Sequence, residues 1–147
     1  MMIAKLGFSW SVIGVLVLLV GVACTSSGEP DPNNQYPDLS NTSWQLHSLD
    51  GSSPIDGSMT TLLFENETLS GTSGCNSYGG RFNQPGDDDL VIEELAYTEM
   101  ACLDPDGIME QEQRFLEILS AATGYVVSEG QLSIYADSGF LLFNPAE

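Results

Sequence analysis

Cations are almost absent from this chain. Three Lys and Arg stand against 21 Asp and Glu, for a formal net charge of −18, and His47 is the only histidine. Lys5 lies in the N-terminal apolar segment, so Arg81 and Arg114 are the only strong cations beyond it. A surface this acidic is repelled by nucleic acid and by anionic lipid, and no nucleic-acid partner is expected. It also suits a saline medium, where salt screens self-repulsion. The scarcity of basic groups removes most catalytic sets: the chain has no Gly-x-Ser-x-Gly, no His-Glu-x-x-His and no Gly-Lys-Ser/Thr after its glycine-rich stretch. His47 falls opposite the Trp44 face of an alternating segment, which predicts an exposed ring rather than a ligand or base. Cysteine is scarce too. Three are present, without a Cys-x-x-Cys, and the two outside the N-terminal segment, Cys75 and Cys102, with His47 are fewer ligands than a zinc site needs. No catalytic residue, metal site or cofactor is therefore expected. A hydrolytic carboxylate pair stays open, because among 21 acids the proximity of two says little.

Long apolar runs are confined to one place, Leu6–Ala23, preceded by Lys5. This run is long for a signal sequence and close to the length of a membrane span. Val20-Gly21-Val22-Ala23-Cys24 ends it as a lipobox, with a small residue directly before a cysteine. Residues 1–23 are thus expected to be a lipoprotein signal peptide, cleaved before an acylated Cys24. An uncleaved span and plain secretion are the alternatives. Lipid chains contribute about 0.8 kcal/mol per buried CH₂, so a multiply acylated Cys24 is a stable membrane anchor. Residues 24–38, rich in Pro, Ser, Asn and acids, cannot bury a core and are expected to form a flexible tether. Ser26 is not an inner-membrane retention aspartate, so outer-membrane or surface placement follows if Gram-negative sorting applies.

Residues 39–147 carry the pattern of one folded domain. Trp44, Leu46 and Ser48 alternate on one face of a strand. Thr60–Glu65, Thr68–Ser73, Asn76–Asn83 and Leu90–Leu95 are further strands. So are Tyr125–Val127, Gln131–Tyr135 and Phe140–Phe143, joined by Ser128-Glu129-Gly130 and Asp137-Ser138-Gly139 turns. One helix is expected, with Asp104 as N-cap, Pro105 in its first turn and Gly124 as its end. Its apolar stripe is Ile108, Met109, Phe115, Leu116, Leu119 and Ala122, with Glu110, Gln111, Gln113 and Glu117 toward water. The acidic loops Asp87–Asp89 and Asp104–Asp106 raise the question of Ca²⁺, but they lack spaced EF-hand ligands. The fold class is α+β: a curved antiparallel sheet or partly open barrel of seven or eight strands, covered by one helix.

The stretch Leu69–Cys102 organises this domain. Gly71, Gly74, Gly79 and Gly80 fall too close together for a helix and mark bends or close backbone approach in strands. Asn76 and Tyr78 share one face. Cys75 and Cys102 are the only cysteines after Cys24, and in an exported domain a disulfide between them is expected. Two buried thiols are the alternative. A closed loop of fewer than about thirty residues stabilises by roughly 3–3.5 kcal/mol.

The order Gly71, Gly74-Cys75-Asn76, Gly80, Thr98-x-Met100-Ala101-Cys102, then Glu112 before Phe115 and Leu119, resembles the META domain, also called the HslJ-like domain. Asn41-Thr42-Ser43-Trp44 opens the resemblance, which runs from about Leu39 to the C-terminus. Gly71, Gly74, Asn76, Tyr78, Gly80, Thr98 and Met100 are its signature positions here. The resemblance implies a curved antiparallel or barrel-like fold with a helix, and a link to heat and envelope stress. The expected function is a non-enzymatic, membrane-anchored envelope lipoprotein contacting a protein partner. A small-ligand carrier with an apolar cavity in the sheet, or an unrecognised hydrolase, are the alternatives.

Overall fold

The computed structural model describes residues 36–147. The expected signal peptide, Cys24 and most of the expected tether lie outside the described residues. Eight strands and one helix follow in the order β1 Thr42–Leu49, β2 Thr61–Glu65, β3 Thr68–Thr72, β4 Ser77–Asn83, β5 Val91–Tyr97, α1 Ile108–Ser120, β6 Ala122–Ser128, β7 Gln131–Ala136 and β8 Gly139–Pro145.

All eight strands form one antiparallel sheet, ordered β5-β4-β3-β2-β1-β8-β7-β6. Two meanders, β1–β5 and β6–β8, join through the central β1–β8 pair. The sheet curls until its two edges touch at one end. Leu90 N–H donates to Thr123 O at 3.3 Å, and Tyr125 N–H donates to Asp88 O at 2.9 Å. The result is a half-barrel with α1 packed in its concave side.

Period-two alternation decides which side chains enter that concavity. Trp44, Leu46 and Ser48 are buried on one face of β1, as their spacing predicts, and His47 is exposed on the other. Phe64 and Phe82 meet edge to face with ring centroids 4.7 Å apart. Phe115 of α1 lies against Tyr78 and Phe143, at 5.5 and 6.4 Å. Leu62, Leu119, Leu132, Ile134 and Leu141 fill the space between. Tyr36 stacks edge-on against Tyr125, whose hydroxyl donates to Pro37 O at 2.6 Å, so the start of the described chain is fastened to the β4–β6 side.

The helix departs from the sequence expectation at both ends and on one flank. It begins at Ile108 with Gly107 as N-cap, not at Pro105 with Asp104 as N-cap, because Gly107 has φ 84°, outside the right-handed helical region. It ends at Ser120, and Ala122 opens β6. Gly124 lies inside β6, where a β-carbon would stand 2.9 Å from Asp88 O. That glycine permits the closure of the two sheet edges rather than ending the helix. Gln111, expected toward water, is buried. Its Oε1 accepts from Ile55 N–H at 2.7 Å and its Nε2 donates to Ser58 Oγ at 3.1 Å, so it pins the β1–β2 connection over the helix.

Candidate functional site

Gly74, Asn76, Thr98 and Met100 converge where the β3–β4 turn, the segment after β5 and the first turns of α1 meet. The turn runs Ser73-Gly74-Cys75-Asn76 and is closed by Ser73 N–H donating to Asn76 O at 2.8 Å. Gly74 has φ 115°, and a β-carbon there would lie 2.7 Å from Ile108 Cδ1. Any other residue would be strained at this φ and would force the Ile108 side chain to shift. Gly71 serves by its lack of bulk: a β-carbon would sit 2.0 Å from Thr61 O. The space is used by Tyr78, whose hydroxyl donates to that same carbonyl at 2.6 Å. Burial raises the Tyr78 phenol far above its ordinary pKa, so it stays a neutral donor. Gly80 faces the bulge that Glu94, at φ 54°, introduces into β5.

At the centre is Glu112, only 4% exposed. Ser73 Oγ donates to its Oε2 at 2.5 Å, Asn76 N–H donates to the same oxygen at 2.7 Å, and Asn76 Nδ2 donates to Oε1 at 2.6 Å. Asn76 in turn uses its whole side chain. Its Nδ2 also donates to Met100 O at 3.1 Å, and its Oδ1 accepts from Thr98 Oγ1 at 2.7 Å and from Met100 N–H at 2.8 Å. Every donor and acceptor of that amide is filled. Desolvation pushes the Glu112 carboxyl upward, but the bonds from Ser73, Asn76 and the turn's backbone amides outweigh it, and its pKa falls below the ordinary glutamate value. Cys75 and Cys102 form a disulfide over this knot, with Cα atoms 5.9 Å apart.

Of the signature positions, Asn76, Thr98 and Met100 meet in the knot, Gly74 shapes its turn and Cys75–Cys102 closes over it, while Gly71 and Tyr78 meet at Thr61 O and Gly80 faces the β5 bulge. Ser73 and the central position of Glu112 were not foreseen. Glu112 carried a signal nonetheless, since 108, 112, 115 and 119 fall on one helical face and Glu112 interrupts an otherwise apolar line.

Chemically, the knot is suited to holding three segments in register. A general acid or base needs a pKa near the working pH, and a nucleophile needs access; Glu112 is shifted away from neutrality and Ser73 is fully buried. Among the described residues no group of three or more His, Cys, Asp or Glu is placed to hold a metal ion, the Asp87–Asp89 and Asp104–Asp106 loops included.

These features and the fold decide the family. The META domain profile matches residues 37–147. The chain belongs to the META domain family. Among curated proteins, none matches this chain significantly. A solved NMR structure of a protein from Burkholderia xenovorans is 28% identical, covering 80% of this chain and 97% of that one, with a TM-score of 0.60. A second NMR structure is 23% identical over 73% of this chain and 91% of its own, with a TM-score of 0.61. The crystal structure of a DUF4847 family protein from Bacteroides vulgatus is 14% identical over 75% and 97%, with a TM-score of 0.51. The last two likenesses speak to the fold.

Outside the knot, the META domain presents an open groove of about 510 Å³ between β5 and α1. Leu95, Tyr97, Met109 and Leu116 supply its apolar lining, and Glu110 and Glu117 border it. Beyond Tyr97, which is 52% exposed, Met100 is 56% exposed inside the loop that the disulfide closes, and Leu103, just past Cys102, is 93% exposed. The concave side of the sheet itself is filled by Phe64, Phe115, Phe143 and their neighbours.

Proposed function

We propose that this META domain is a non-catalytic, lipid-anchored module of a bacterial cell envelope that contacts a protein partner. One observation carries the reading. Tyr97, Met100 and Leu103 keep large apolar surfaces in water on a segment that is held in place by a disulfide and by the Asn76–Glu112 knot. Exposed apolar side chains on a rigid frame suit protein contact, because little ordering entropy is lost on binding. A filled sheet interior supports a partner over a carried small ligand, and a carboxylate lowered by neutral donors supports a structural knot over a catalytic one. Anchoring rests on the lipobox ending at Cys24, and the HslJ-like resemblance adds envelope or heat stress tolerance to the reading.

The test uses the full chain in its own bacterium, with a photo-crosslinking amino acid at position 103. The expected result is one recurrent protein adduct, lost on Met100→Glu and lost again on Cys24→Ser, which frees the chain from the membrane. Adducts with lipid alone, or protein adducts indifferent to both substitutions, would overturn it.

A further inference from the structure

We propose that the outer edge of β5 accepts a short extended segment of the partner as an added strand, and that this segment alternates basic and apolar residues. The inference deepens the reading above and rests on it, since it names the kind of chain that the contact face takes.

The first ground is the backbone. β5 ends the sheet and pairs only with β4 along its length. Among the described residues the sheet edges pair through backbone only at Asp88–Leu90, next to the start of β5, so no backbone hydrogen bond reaches the outer side of β5 from Val91 onward. Thr98 N–H donates to Ser77 O at 3.0 Å, which makes that position a hydrogen-bonded pair. By the alternation of an antiparallel ladder, Ala96 also directs its backbone groups to β4, and Leu95 and Tyr97 direct theirs outward. Among the described residues no backbone hydrogen bond engages Leu95 or Tyr97 from the outer side. Such an edge is a template for another strand. The Glu94 bulge breaks the template on its N-terminal side, so the straight edge is Leu95–Thr98 and the added segment is short, about four residues.

The second ground is the chemistry beside that edge. Side chains of an added strand point alternately to the two faces of the sheet. One set enters the groove against Leu95, Tyr97, Met109 and Leu116, which calls for apolar residues. The surroundings call for cations. Glu110 has no ion pair among the described residues, and exposed Glu93 and Glu94 sit on β5 itself. Arg81 and Arg114 are already engaged with Glu67, Asp50 and Glu117. Basic residues therefore find unpaired acids, whereas an acidic segment, or a second copy of this acidic chain, meets like charge.

The test titrates the full chain, held in nanodiscs of neutral phosphatidylcholine, with an octapeptide of alternating Lys and Val, followed by amide NMR shifts. The expected result is saturable shifts centred on Leu95 and Tyr97, with binding about tenfold or more tighter than that of the Glu/Val octapeptide. N-methylating every second residue, in either of the two frames, keeps the side chains and removes one row of strand donors. One frame should abolish binding and the other should spare it. This arm leaves the protein unaltered, so misfolding cannot explain a loss. Undetectable binding, shifts elsewhere, or equal binding by both N-methylated frames would overturn the proposal. So would self-association of the chain through Tyr97 in the absence of peptide. Should the octapeptide fail while the crosslink from position 103 still joins a protein, strand addition falls alone. Should the crosslink fail as well, the partner reading falls with it.

Discussion

Two carboxylates tie α1 to different segments of this domain, and both are held below their ordinary pKa values for different reasons. Glu112 is buried and faces no cation. Its charge is held by a serine hydroxyl, an amide side chain and backbone N–H groups, all on a turn that Gly74 and the disulfide shape. Asp50 is about one third exposed and is held first by Arg114, whose Nε donates to Oδ2 at 2.8 Å, and then by Phe140 N–H at 3.1 Å. The difference teaches where an ion can be used for architecture. Neutral donors on a fixed frame cost nothing to reorganise and can hold a charge in the interior, while a cation in solvent adds little that water does not already supply.

The sharpest way to break this comparison is to remove Glu112. Glu112→Ala leaves the Asn76 N–H and one Asn76 side-chain donor without a partner in a buried site, and leaves the Ser73 hydroxyl only Asn76 O, at 2.9 Å. The expected loss is about 3–5 kcal/mol, read from urea unfolding at neutral pH. Acid should supply the same information without a mutation. A carboxyl whose folded pKa is depressed contributes stability that is complete above its unfolded value, here 4.5, and is lost as pH falls through the folded value. The wild type should therefore lose stability more steeply below pH 4.5 than Glu112→Ala, and the two curves should converge. Parallel acid limbs would mean that the buried carboxylate is not the group that matters.

Much of the domain can be read from its residues, and the unread parts have a common cause. The Trp44–Ser48 alternation, the glycine-marked hairpin and the three C-terminal strands depend on period and turn chemistry, which are local. The Cys75–Cys102 bridge followed from compartment and count. Glu112 occupied a core-facing helical position, yet its role depended on Ser73 and Asn76, more than thirty residues away. Gln111 was misplaced for a similar reason, since the loop that covers it comes from between β1 and β2. Gly124 looked like a helix end because glycine ends helices, but Asp88 O, distant in sequence, needed the space. The groove edge at Leu95 and Tyr97 exists only once it is known which strands lie last in the sheet.

A middle-sized effect should come from the clasp. Cys102→Ser opens a loop with a sequence separation of 27, and loop-closure arithmetic gives about 3.5 kcal/mol. This loss should be local in character. Amide exchange should quicken most at Met100, whose N–H is bound by Asn76 Oδ1, while the β1–β8 centre of the sheet keeps its protection relative to the global stability. Uniform acceleration would show that the segment after β5 is no less stable than the barrel centre.

The smallest effect belongs to the surface pair. Asp50→Asn weakens the charge-assisted bond to Arg114 but leaves Arg114 near Glu117, at 3.2 Å, and leaves an oxygen for Phe140 N–H. The midpoint should move less than in either variant above. Salt then separates the two carboxylates by mechanism. At about 1 M NaCl the screening length falls to about 3 Å, close to the Asp50–Arg114 separation, so the difference between wild type and Asp50→Asn should shrink markedly. The difference between wild type and Glu112→Ala should persist, because its donors are neutral and its oxygens are shielded from solvent. If salt erased both differences equally, Glu112 would be acting through the field of the surface charges, and the contrast between an ion held by geometry and an ion held by a counter-charge would not hold.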